Sequence, residues 1–122
     1  LKINEQRSPK ARAHTGSRVL DLTAMQIRAA LAPRLRGQGR IDVRRRNNAS
    51  LTISHCLVTD GSGPAVSLPV AQLRVDTRGI HLYRRRGNGR WVPYATSETA
   101  FVGTLHQCLA EIRIDHGGCF WN

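Results

Sequence analysis

Two runs of three arginines, Arg44-Arg45-Arg46 and Arg84-Arg85-Arg86, are the residues of this chain with the plainest chemical potential. A guanidinium stays charged at any biological pH and offers a planar fork of donors that suits phosphate oxygens. Each run abuts a turn-forming stretch, Asn47-Asn48 or Gly87-Asn88-Gly89, where side chains from either strand face reach solvent. Joined by Arg40, Arg74, Arg78 and Arg90, they would make a basic band able to follow a nucleic-acid backbone. The competing reading is solvated charge that keeps exposed strand edges from pairing with other chains.

A second constellation lies in the last hairpin. With a three-residue loop at 87–89, His81, Tyr83, Arg85 and Trp91 alternate onto one face. Rings interleaved with guanidinia suit the stacking of single-stranded bases, each stack worth about 1–3 kcal/mol. The same rings would serve burial if the Phe120-Trp121 end or the N-terminal segment lay over them. The residues expected to touch nucleic acid are Arg44, Arg45, Arg46, Arg74, Tyr83, Arg84, Arg85, Arg86, Arg90 and Trp91.

Catalysis has less support. His81 beside Arg85 could deprotonate a 2′-hydroxyl while the arginine stabilises the phosphorane, which would make a histidine-dependent ribonuclease. A basic chain with five histidines offers such pairs readily, so no catalytic residue is assigned. His55-Cys56, His106-x-Cys108 and His116-x-x-Cys119 lack the paired spacing of a structural zinc site, and no metal or other cofactor is expected. Gly87-Asn88-Gly89 falls within a hairpin rather than ahead of a helix, so it is not a phosphate-cradling loop.

These groups need a frame, and the totals bound it. A chain of 122 residues suits one domain. Its net charge is +11, and seventeen of its nineteen basic residues are arginine. Genomic composition can favour arginine codons, so the net charge says more than the type of base. A field of that sign attracts polyanions whatever the fold. Lys2, Arg7, Lys10, Arg12 and Arg18 against Glu5 give residues 1–18 a net +4, which leaves +7 on the remainder. That N-terminal stretch shows no periodic apolar face and is expected to be a disordered basic tail, with residues 19–122 forming the domain. Three cysteines are an odd number without close pairing, and they read as small buried thiols in a reducing compartment. No apolar run approaches the length of a membrane span and no signal-peptide stretch opens the chain, so the cytoplasm is the expected location.

The elements follow from periodicity. A helix is expected from Thr23 to Arg36, capped by Asp21 or Thr23. Leu22, Met25, Ala29 and Ala32 form its apolar stripe, widened by Ile27, Leu31 and Leu35, and Pro33 kinks it or ends it near Ala32. Ile41, Val43, Leu51, Ile53, His55 and Leu57 then alternate with polar residues. A three-residue loop at 47–49 would pair Val43 with Ile53 and Arg44 with Thr52. Further strands are expected over 66–76, with Pro69 at an edge or bulge, over 80–86 and over 90–95. In the third strand Gln72 falls on the wet face, and in the last hairpin Ile80, Leu82, Val92 and Tyr94 face the core. A final helix begins at an N-cap Ser97 and buries Phe101, Val102, Leu105, Cys108, Leu109 and Ile112. Gly117-Gly118 ends it, and the following Phe120-Trp121 is expected to dock on the domain. The result is an α+β fold: an antiparallel meander of about five strands with an N-terminal and a C-terminal helix packed on one face.

One resemblance stands out in the C-terminal half. Val70-Ala71-x-x-Arg74, Gly79-Ile80-x-Leu82-Tyr83, Gly89-Arg90-Trp91-x-x-Tyr94 and Asp115-His116-x-Gly118-Cys119-Phe120-Trp121 resemble the bacterial domain-of-unknown-function family 3024 over about residues 70–122. Arg90 stands where that family usually has Lys, and Asn122 where it ends in Gly. The resemblance implies a bacterial origin and an α+β fold and brings no catalytic residues. The expected role is thus non-enzymatic binding of RNA, DNA or an acidic protein, with no membrane. A protein-interaction or homo-oligomerisation module, using an exposed strand and the Trp/Tyr surface, is the alternative.

Overall fold

Helix α1 (22–35) opens the described part of the chain in the computed structural model, which covers residues 22–57 and 66–121. The expected tail and the candidate cap Asp21 lie outside the described residues. The buried stripe of α1 is Ala24, Ile27, Leu31 and Leu35, while Leu22 and Met25 are exposed. This is the alternative the composition allowed, because apolar residues occur on both sides of the helix. Pro33 neither ends nor breaks it: the helix continues to residue 35, where Leu35 is 9% exposed within the core. Burial of that side chain offsets the backbone bond that proline removes. Arg36 and Gly37 then adopt positive φ and stop the helix.

Among the described residues six strands form one antiparallel sheet: β1 (Arg40–Asn47), β2 (Ser50–Leu57), β3 (Val66–Asp76), β4 (Gly79–Arg85), β5 (Trp91–Pro93) and β6 (Val102–Gly103). The order is β1-β2-β3-β4-β5, and the short β6 also pairs with β4. In the first hairpin Val43 pairs with Ile53 and Arg44 with Thr52, as expected. The turn itself is tighter, because Asn47 pairs with Ser50 and the register shifts between Arg45 and Asn47. Between β2 and β3 the register shifts where Ile53 pairs with Ala71 and Ser54 with Pro69, so Val70 is the extra residue of a bulge. This accommodates a proline that donates no ladder bond. Gly39 shows a positive φ of 77° and approaches the Cys56 carbonyl so closely that a Cβ there would collide with it.

The second helix, α2 (Leu105–Ile114), starts later than Ser97. Thr104 is its N-cap: its hydroxyl accepts from Gln107 N, and Gln107 Oε1 accepts from Thr104 N, a capping box. Phe101 and Val102 are therefore not helical. Val102 lies in β6, and Phe101 N donates to the Tyr94 carbonyl. Sheet pairing along β4 satisfies these backbone groups, and that outweighs a helical spacing of apolar side chains.

Both helices pack on one face of the sheet around one core, which contains Ile27, Leu31, Ile53, Leu73, Leu82 and Ile112 among others. Phe120 joins this core at 3% exposure, with its ring 5.0 Å from that of Tyr94. Trp121 Nε1 donates to the Ile112 carbonyl at 2.8 Å. Tyr94 donates its hydroxyl to Glu111 at 2.9 Å, and burial, with Glu111 beside it, pushes the phenol up to about 12. Burial likewise pushes the Cys108 thiol up to about 11, so at neutral pH it is a packed, protonated side chain and not a nucleophile. Among the described residues no helix is long and apolar enough to cross a membrane.

Candidate nucleic-acid interface

Paired residues in a sheet point to the same side, so the register defines the face opposite the helices. One row across it reads Arg44, Thr52, Gln72, Tyr83 and Pro93. The next reads Ser50, Arg74, His81 and Val102. Arg85 and Trp91 pair with each other one step beyond Tyr83 in the other direction. The expected grouping of His81, Tyr83, Arg85 and Trp91 is therefore present, and Tyr83 and Trp91 are both half-buried. Phe120 and Trp121 do not cover them, because that tail packs on the helical side against Tyr94 and Ile112.

A stacked pair sits in the middle of this face, which no other described element covers. The Arg74 guanidinium lies over the Tyr83 ring, 3.8 Å from its centroid. Arg74 Nε donates to Gln72 Oε1 at 2.7 Å, and Gln72 Nε2 donates to Thr52 Oγ1 at 3.1 Å. Gln72 is only 1% exposed, although alternation placed it on the wet face. Its side and the hydrogen bonding are compatible: the amide lies beneath Arg74 and fixes the plane of the guanidinium. A guanidinium tied over a ring by a hydrogen bond is pre-positioned, and a guanidinium face can take a further planar group.

His81 lies beside this pair, with Nε2 2.7 Å from Asp76 Oδ2. Asp76 also accepts the Arg78 backbone N–H. That bond, with His81 beside it, holds the Asp76 carboxyl below its ordinary value. His81 and Arg85 are four residues apart on one strand with Tyr83 between them, a separation of about 13 Å. Among the described residues, no three His, Cys, Asp or Glu side chains gather where they could hold a metal.

The two arginine runs sit diagonally, on strands three spacings or about 14 Å apart. Arg44 is on the open face and pairs with Asp42 at 2.9 Å. Arg45 shares the row of Leu51 and Leu73 on the helical side and donates to Asn48. Arg84 is also on the helical side, in a recess of about 450 Å³ with Arg85, Arg86, Gly87, Asn88 and Cys119. Burial and Asp115 raise the Cys119 thiol against an opposing pull from Arg84. Arg46, Arg86 and Arg90 are exposed at the hairpin ends. The ten expected residues thus form no single patch: Arg44, Arg74, Tyr83, Arg85 and Trp91 share one face, Arg45 and Arg84 lie on the helical side, and Arg46, Arg86 and Arg90 are at the hairpin ends. Thr52 and Gln72 were missed by the sequence reading. Their signal was the register, since Arg44–Thr52 pairing places Gln72 and Tyr83 in the same row once β3 is aligned.

The family model described as Domain of unknown function (DUF3024) matches residues 12–122, well beyond the C-terminal half that carried the resemblance. The chain belongs to this family. No curated protein and no solved structure matches it.

Proposed function

We propose that this member of the DUF3024 family is a non-enzymatic protein that binds single-stranded nucleic acid across the open face of its sheet. The observation that carries this reading is the Arg74–Tyr83 stack, oriented by Gln72 at the centre of that face. Arg44 at one side and Arg85 with Trp91 at the other extend it into a path of alternating charge and ring. Bases would stack on Arg74 and Trp91 while arginines follow the phosphates. A duplex hides its base faces, so it would gain only the charge contacts.

The test is a titration of labelled single-stranded and duplex oligonucleotides at several salt concentrations, on protein stripped of nucleic acid. The expected result is tighter binding of the single strand and a steep linear fall of log K with log salt. Replacing Arg44, Arg45 and Arg46 together by alanine lowers that slope by up to about 2, at roughly 0.7 per lost phosphate contact. Binding that is absent near physiological salt, or flat with salt, contradicts the proposal.

A further inference from the structure

A recess beside the stacked pair holds an unmet hydrogen-bonding group. Ser50, the first residue of β2, is 6% exposed, and its Oγ is buried without a hydrogen-bond partner. A buried hydroxyl left unpaired is unfavourable, and a native structure that keeps one points to a partner not yet in place. Ser50 lines a recess of about 280 Å³ with Arg46, Asn47, Ala49, Arg74 and Val75. Ala49 N there donates to Asn47 Oδ1, and the Ala49 carbonyl accepts from Val75 N. Arg74 Nε is committed to Gln72, which leaves its terminal nitrogens. Among the described residues no carboxylate lines the recess. The recess thus brings one unpaired hydroxyl beside two guanidinium groups, a lining with net positive charge.

We propose that this recess is an oxyanion site for a phosphoryl group, with Ser50 Oγ as its buried donor and Arg46 and Arg74 as its charges. A cation is repelled by both arginines, and a neutral ligand would leave their charge unanswered. Because Arg74 belongs to both sites, a phosphate here would belong to the nucleotide whose base lies on the Arg74–Tyr83 stack. The source of the phosphate rests on the nucleic-acid reading; the recess itself does not.

The experiment titrates isotope-labelled protein with inorganic phosphate at constant ionic strength, using chloride as the control, and follows the Ser50 and Ala49 amide signals. A parallel arm uses a single-stranded oligonucleotide. Saturable shifts at these amides with phosphate but not chloride are expected. Ser50→Ala is expected to weaken phosphate binding about tenfold, the scale of a hydrogen bond to a charged group. The same change should raise the melting temperature by about 4 °C, because it removes an unpaired buried hydroxyl. Arg46→Gln, at an exposed position that does not threaten the fold, should weaken binding without that gain. Equal shifts with chloride, or unchanged affinity in Ser50→Ala, overturn the site. Oligonucleotide binding with Ser50 silent also overturns the site and leaves the proposed function standing. Phosphate binding at Ser50 without any oligonucleotide binding supports the site and assigns it to a free phosphorylated compound.

Discussion

Replacing Tyr83 by alanine is expected to weaken single-stranded oligonucleotide binding roughly tenfold to a hundredfold, measured by fluorescence anisotropy at fixed salt. The magnitude follows from one stacked base, worth about 1–3 kcal/mol. Without the ring, the Arg74 guanidinium loses the surface that holds it flat, and both halves of the platform fail together. The more discriminating variant is Arg74→Lys. It keeps the charge and a long stem, but an ammonium has no plane on which a base can lie and no fork for Gln72. It should bind nearly as weakly as Arg74→Ala. If Arg74→Lys instead binds like the unaltered protein, the arginine supplies charge alone and the stacking account is wrong.

Asp115→Ala should cost about 3 kcal/mol of folding stability in a urea titration, the largest effect expected of a single polar side chain in this fold. Asp115 ends α2 at a left-handed φ of 53°, a conformation that aspartate tolerates better than alanine. Its side chain is 3% exposed, with Arg34 3.9 Å away. One carboxylate accepts the backbone N–H groups of Cys119, Phe120 and Trp121, at 2.9 Å for the first and 3.3 Å for the others. Alanine would leave three donors unmatched and release the segment that carries Phe120 into the core. Asp115→Asn keeps one acceptor oxygen and should lose distinctly less. A loss below about 1 kcal/mol in Asp115→Ala would mean that the tail docks through its rings alone.

The hairpins were the most legible part of the sequence. Loop length fixes register, and register fixes faces, so Gly87-Asn88-Gly89 was enough to place Tyr83, Arg85 and Trp91 together. In the first hairpin the turn is tighter than expected, and the shift between Arg45 and Asn47 keeps the expected pairing of Val43 with Ile53. Helix limits were harder to read. Ser97 has the chemistry of a cap, and the spacing of Phe101 and Val102 continues the α2 stripe backwards. The competing signal, Thr104-x-x-Gln107, was equally present but shorter. Choosing between them needed the pairing of β6 with β4, a tertiary contact that local pattern does not encode. In α1 the same kind of ambiguity favoured Leu22 and Met25, which are exposed, over Ala24.

The candidate site divides in the same way. Residue types pointed to Arg74 and Tyr83 separately, but their stacking across β3 and β4 is a product of the sheet. Gln72 was legible only through the register, and Ser50 gave no advance signal, because a polar residue in an alternating strand reads as a solvated one. Their importance comes from being buried on the polar face, Gln72 with its hydrogen bonds made and Ser50 with its bond unmade.

A single strand is expected to lie across the sheet face opposite the helices. Mapping amide and side-chain signals during titration with a short single-stranded oligonucleotide tests it most directly. Saturable shifts are expected at Thr52, Gln72, Tyr83 and Trp91, with the α1 and α2 signals unmoved. Shifts confined to the helical side, around Arg84 and Cys119, or spread evenly over every arginine, would contradict it.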